Sequence, residues 1–276
     1  MKIVSVVNMK GGVAKTTLAV NIADCLAREH DKSVLLVDID PQFNATQCLV
    51  SGEDYIEKLR SGGSTVVDVF DDKSRPIESA VGEQEVETPK SLDDIHPWSI
   101  KDGLDLMPGN LELYKLEMAS GQGRENRLDR YMEEIPDGEK YDYVMIDTPP
   151  TPSAWMASAL ICSDEYLIPV KPDPISKTGI ELLNGVVNTI KNNHGLNISL
   201  MGLVITIARK DTIVYEETLE YFEDNQKWED KLFKNSIPKR TEVARRQEDQ
   251  ETILDSDDND LQQSLRFITR EFISRS

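Results

Sequence analysis

The chain has 276 residues, 39% of them hydrophobic and 29% charged, and a formal net charge of −19. That length suffices for one large buried core, and the acidic balance opposes nonspecific contact with nucleic acid or anionic lipid unless a local basic patch overrides it. No run of 18 apolar residues exists, so no membrane-spanning helix is expected.

In chain order, residues 2–8 (KIVSVVN) read as a buried strand that runs into Gly11-Gly12. The strand replaces any signal peptide, so a cytoplasmic protein is expected. Residues 15–29 have helical spacing, with Leu18, Ile22, Cys25 and Leu26 on one face. Further strands are predicted at 33–39, 141–147, 165–170 and 200–207, and helices at 175–193 and 214–224. Such alternation predicts an α/β fold: a doubly wound, mostly parallel sheet flanked by helices, with ligands at the carboxyl ends of the strands. We expect a single domain over 1–276. Residues 51–102 are acidic and poor in apolar side chains. They read as a surface insertion, helical at 53–60 and mobile around 72–97. A C-terminal helix is predicted at 260–274. Cys25, Cys48 and Cys162 form no C-x-x-C pair, which argues against a disulfide framework or a zinc site.

Residues 10–17 read Lys-Gly-Gly-Val-Ala-Lys-Thr-Thr between a strand and an amphipathic helix. Gly11 and Gly12 let the backbone turn so that successive N–H groups converge on anionic oxygens. The helix N-terminus adds unpaired donors and the positive end of a dipole. Lys15 can reach the β- and γ-phosphates of a nucleotide, and the Thr16 hydroxyl can ligate magnesium. The bland alternative is a Gly-rich turn with a chance lysine. Two acidic strings argue against it. Asp38 and Asp40 lie at the end of the second strand, on the same side by its two-residue period. Asp147 ends the apolar run of 143–147, ahead of Thr148-Pro149-Pro150.

The pattern K-G-G-x-x-K-[ST]-[ST] resembles the deviant Walker A box of the ParA/MinD family of ATPases. The resemblance implies ATP and Mg²⁺ as ligands, bound by Lys10, Gly11, Gly12, Val13, Ala14, Lys15, Thr16 and Thr17. It implies that Lys10 crosses a homodimer interface to the partner's phosphates. Asp40 would position the attacking water, making Lys10, Lys15 and Asp40 the catalytic set. Thr16, Asp38 and Asp147 would serve the metal or its waters, and Pro238 would contact adenine. Ala14 departs from the family's usual glycine. A helical φ there would suit alanine, whereas a positive φ would cost roughly 1 kcal/mol.

The same resemblance extends to residues 232–246, which bind nonspecific DNA in relatives. Here Lys234, Lys239, Arg240, Arg245 and Arg246 stand against one acid, Glu242, and Arg209 and Lys210 can extend the patch. Phosphate binding by such a patch is salt-dependent and nearly blind to sequence. Dimerisation would double it, so ATP could switch DNA affinity by avidity. The alternative is a basic face paired with the acidic run 248–260. No helix-turn-helix precedes the loop, so operator-specific binding is not expected. These features imply a ParA-type partition or positioning ATPase, nucleoid-associated, with slow hydrolysis stimulated by a ParB-like or cargo-adaptor protein. A second reading, like the MinD branch, uses the amphipathic series Leu261, Leu265, Ile268 and Phe272 to bind membranes. A third, like the nitrogenase iron protein, lacks the cysteine arrangement a cluster needs.

Overall fold

The computed structural model describes residues 1–71, 75–77, 85–87, 89–118, 123–135 and 141–276. Its strands are β1 (Lys2–Val6), β2 (Val34–Asp38), β3 (Arg75–Ile77), β4 (Glu85–Glu87), β5 (Trp98–Lys101), β6 (Leu104–Met107), β7 (Tyr143–Asp147), β8 (Glu165–Val170) and β9 (Ser199–Ile205). Its α-helices are α1 (Lys15–His30), α2 (Asn44–Gln47), α3 (Gly52–Arg60), α4 (Val66–Phe70), α5 (Leu113–Met118) and α6 (Arg127–Glu134). After these come α7 (Ala154–Cys162), α8 (Ser176–His194), α9 (Ile213–Glu223), α10 (Thr241–Glu248) and α11 (Asn259–Arg275).

Seven strands form one sheet in the order β5-β6-β2-β7-β1-β8-β9. All neighbours are parallel except β5, which runs antiparallel to β6 at the edge. The expected doubly wound α/β fold is therefore the observed one. The inner strands are apolar on both sides because both faces are covered. In β2, Val34 and Leu36 pack towards α1 and α11, whereas Leu35 and Val37 pack towards α4, α6 and α7. A third cluster joins β8 and β9 to α8 and Phe222 of α9.

The segment 51–102 is built in more deeply than the sequence suggested. Its helix α3 matches the expected one, and no residue of α3 is buried. However, Val66, Val69 and Phe70 of α4 are fully buried, and β5 extends the main sheet. A five-residue helix and a four-residue strand leave too short a periodic signal to stand out among acids. The stretch read as mobile, 72–97, falls in part outside the described residues. Within it, Ile95 is fully buried.

The terminal helix α11 buries the whole apolar series Leu261, Leu265, Ile268 and Phe272 against the core that contains α1. Asp258 caps it by accepting from the Leu261 N–H. At its far end Arg275 donates to the carbonyls of Met201, Asp230 and Leu232. The stripe is thus occupied. Offering it to a bilayer would expose four core side chains, at about 1.5–3 kcal/mol each. Phe272 also forms a tilted ring pair with Tyr143 of β7, centroids 5.6 Å apart. Phe272→Ala is expected to cost about 3–5 kcal/mol of stability. A urea denaturation curve measures this, and a loss under 1 kcal/mol would mean α11 is not anchored as described.

Candidate nucleotide-binding site

Strand β1 delivers the chain into the loop 8–14, which opens α1. Gly12 and Ala14 both have positive φ, 69° and 64°. A Cβ at Gly12 would meet nothing within 4 Å, so the backbone twist, not space, is what calls for glycine there. Ala14 is the N-cap of α1 and offers no side-chain cap, and the first turn carries no acid. The leading N–H groups of α1 are therefore left to a ligand. The loop is tied down from outside. The Thr206 hydroxyl, beyond β9, donates to the Val13 carbonyl at 2.8 Å. Asn8 donates to the Pro169 carbonyl and accepts from the Lys10 N–H.

The loop forms one wall of a cavity of about 940 Å³, the upper end of the size range for small-molecule sites. Gly11 through Thr17, Asp40, Phe43, Tyr55, Pro150 and Gln247 line it. Lys15 is 7% exposed. Burial lowers its pKa, against the opposing charges of Asp147 and Asp40.

The acids arrive from the neighbouring strands. Asp38 of β2 stands in register with Asp147 of β7, and Asp147 with Val6 of β1. The Thr16 hydroxyl donates to Asp147 Oδ2 at 2.7 Å. Asp147 is fully buried, and its Oδ1 has no hydrogen-bond partner among the described residues. Burial raises its pKa to about 7, against the Thr16 bond and the charge of Lys15. Orphaned buried oxygens are rare and ask for an explanation such as an ion. A hydroxyl and a carboxylate are hard donors of the kind magnesium takes, in ones or twos beside substrate phosphates. Among the described residues no cluster of three or more metal-ligating side chains competes with this arrangement.

Asp38 and Asp40 divide. Asp38, like Asp147, is fully buried and off the cavity wall. Its carboxylate accepts from the Thr46 N–H and hydroxyl at 2.7 and 2.8 Å, and from the Asp40 N–H at 3.3 Å. Burial and the neighbouring Asp147 hold its pKa well above the usual range. These contacts make Asp38 the anchor of the loop that carries Asp40. Asp40 itself lines the cavity, and burial raises its pKa, opposed by the Gln42 N–H and the charge of Lys15. Pro238 is not on the wall. It bridges to Ala208 at the sheet edge. Lys10 is also off the wall and pairs with Asp173.

Several wall residues had no sequence signal. Phe43 has φ 40° and stacks on Tyr55, centroids 5.5 Å apart. Gln247 of α10 meets the Thr17 hydroxyl across the chain, at 3.3–3.5 Å. The one local cue was the glycine in Pro108-Gly109-Asn110. A Cβ on Gly109 would fall 2.6 Å from that of Phe43 and 3.0 Å from Asp38 Cγ.

Of the five basic residues in the C-terminal patch, two are neutralised. Arg240 pairs with Asp258 at 2.6 Å, and Arg246 with Glu242 and Glu251. Lys234, Lys239 and Arg245 are exposed and form no ion pair among the described residues. The Lys239 N–H donates to the Ala208 carbonyl, which sets the exposed Arg209 and Lys210 beside Lys239.

A strand–loop–helix cradle with a buried lysine, and acids at the ends of the next two strands on one side of it, define a P-loop nucleotide-binding protein. The family model described as AAA domain matches residues 1–201. The chain is 31% identical over 249 residues to the sporulation initiation inhibitor protein Soj of Bacillus subtilis, covering 88% of this chain and 86% of that one. It is 32% identical over 205 residues to a ParA family protein of Chlamydia trachomatis, covering 72% and 69%. In fold it resembles a putative plasmid partition protein of Borrelia burgdorferi solved with AMPPNP, at a TM-score of 0.75 and 22% identity over 100% and 99% of the two chains. The chain belongs to the ParA/MinD family of P-loop ATPases.

The positive φ settles the question at Ala14. Ala14→Gly is expected to raise stability by up to about 1 kcal/mol. An unchanged or lower urea midpoint would mean the loop does not hold this twist in solution.

Proposed function

We propose that the chain is a ParA-type ATPase that partitions or positions a cargo. ATP occupies the cavity, with its phosphates on the N–H groups of the loop and on Lys15. Thr16 and Asp147 hold Mg²⁺, which supplies charge neutralisation on the phosphates. Asp40 orients the attacking water, and Asp38 holds the Asp40 loop in place through Thr46. Positioning and electrostatics account for most of such chemistry. The observation that carries the reading is the convergence of the loop, Asp40 and Thr16 on one cavity, with Asp147 held directly behind Thr16 by its hydroxyl.

The nucleotide then brings two copies together, with Lys10 crossing to the partner's phosphates. Without a stimulating protein, ParB-like or a cargo adaptor, hydrolysis is slow. The paired copies bind nonspecific DNA and hold the protein on the nucleoid. What supports this is the exposed set Lys239, Arg245, Arg209 and Lys210, with Lys234 further along. Arg246 and Arg240 contribute less because nearby acids answer their charge.

Two experiments test the reading. Asp40→Ala is expected to retain ATP and lower single-turnover hydrolysis by at least 100-fold, the scale of a lost general base or water-orienting group. Turnover within threefold of wild type would remove Asp40 from its role. Lys239→Glu with Arg245→Glu is expected to abolish ATP-dependent retention on duplex DNA while sparing ATP binding. The wild-type affinity should fall steeply with salt. Retention equal to wild type would move the DNA surface elsewhere.

A further inference from the structure

We propose that Asp173 is the counter-ion of Lys10 within its own chain and sets the protein concentration at which the nucleotide-bound form dimerises. This rests on the reading above, in which Lys10 crosses to a second copy. The observation is that the Lys10 ammonium forms an ion pair with Asp173, away from the cavity. Both partners are held in place by other bonds. Asp173 Oδ1 accepts from the Ile175 N–H at 3.0 Å, and its backbone carbonyl from the Ser176 N–H at 3.1 Å. The Lys10 N–H is fixed by Asn8 Oδ1 at 2.9 Å, and Asn8 in turn donates to Pro169 at 2.7 Å. The backbones that carry the two charges are thus set without help from the pair itself.

A lysine ammonium is one compact charge. To reach a phosphate held by another copy it must first leave Asp173. The Lys10 and Asp173 side chains are 36% and 21% exposed. Ion pairs with this much water access favour the closed arrangement by a factor of about 1.4 to 5. A dimer with two exchanged lysines breaks two such pairs, so their removal should tighten dimerisation about 2- to 30-fold. The carboxylate left behind keeps the Ile175 N–H as a donor to its Oδ1. Asp173 therefore acts as a positioning residue through Lys10 and touches no nucleotide.

The test is sedimentation velocity of the full chain with magnesium and AMPPNP. Wild type, Asp173→Asn, Lys10→Ala and the double variant are compared over a range of protein concentrations. Asp173→Asn is expected to lower the half-dimer concentration 2- to 30-fold. The gain should vanish in the Lys10→Ala background, which a general effect on folding would not do. Nucleotide affinity of dilute monomer should match wild type. If wild-type dimers require Lys10 yet Asp173→Asn dimerises no more readily, the inference is overturned and lysine exchange stands. A gain that persists without Lys10, or a changed monomer affinity, also overturns it. If Lys10→Ala dimerises like wild type, or wild type does not dimerise with nucleotide, lysine exchange fails and the inference falls with it.

Discussion

The register of three adjacent parallel strands, β2-β7-β1, is the constraint on which the rest depends. Hydrogen bonding sets Asp38 opposite Asp147 and Asp147 opposite Val6. A parallel ladder keeps all carboxyl ends on one edge, so the phosphate loop and both acidic segments emerge there together. A one-residue slip would turn every side chain of a strand to the opposite face. It would put core residues where the acids stand and bury the acids on the other side. The two apolar clusters flanking β2 resist any such slip. Site geometry and core packing are one requirement in this fold.

Behind that edge lies a layer of polar contacts. Asp38, Thr46 and Gly109 knit the Asp40 loop to the turn after β6, with Thr46 accepting from the Gly109 N–H. On α1, Asn21 donates to the Thr17 carbonyl and accepts from the Ile253 N–H. One helical turn on, the fully buried Asp24 accepts from Lys101 and Thr252 and pairs with Arg28. Paired in this way a buried carboxylate is tolerated, whereas removing one partner would leave it costly. Together with Gln247 on Thr17, these bonds join the first turns of α1 to the segment that bears the basic patch. The cavity wall and the basic segment are thus joined by hydrogen bonds through α1.

Short motifs in fixed context were readable from the sequence: the loop at 10–17, the acids at 38, 40 and 147, and the helices and strands that present them. Each is a short local string at the end of a strand, so its residue types can be recognised without knowing what packs around them. What escaped depends on residues far apart in the chain. Asp38, read as a carboxylate for magnesium or its waters, also accepts from the Thr46 N–H and hydroxyl and from the Asp40 amide, contacts that the string 37–42 does not reveal. Pro238 sits on a sheet edge, a placement that only β9 decides. For Arg240 and Arg246 the alternative of pairing with the acidic run 248–260 is the one observed, through Asp258 and Glu251, whereas which of the five basic residues would pair could not be read from a local count. The edge strand β5 hid among acids because four residues leave no periodicity to detect.

The packing of α11 bears on how the protein is made. This helix covers the face of α1, yet the ribosome releases it long after α1 has emerged. Until then Leu18, Ile22 and their neighbours lack their cover, and the nascent chain carries an open greasy surface next to a glycine-rich loop. Synthesis halted before α11 should therefore yield sticky, chaperone-bound fragments rather than partly active enzyme.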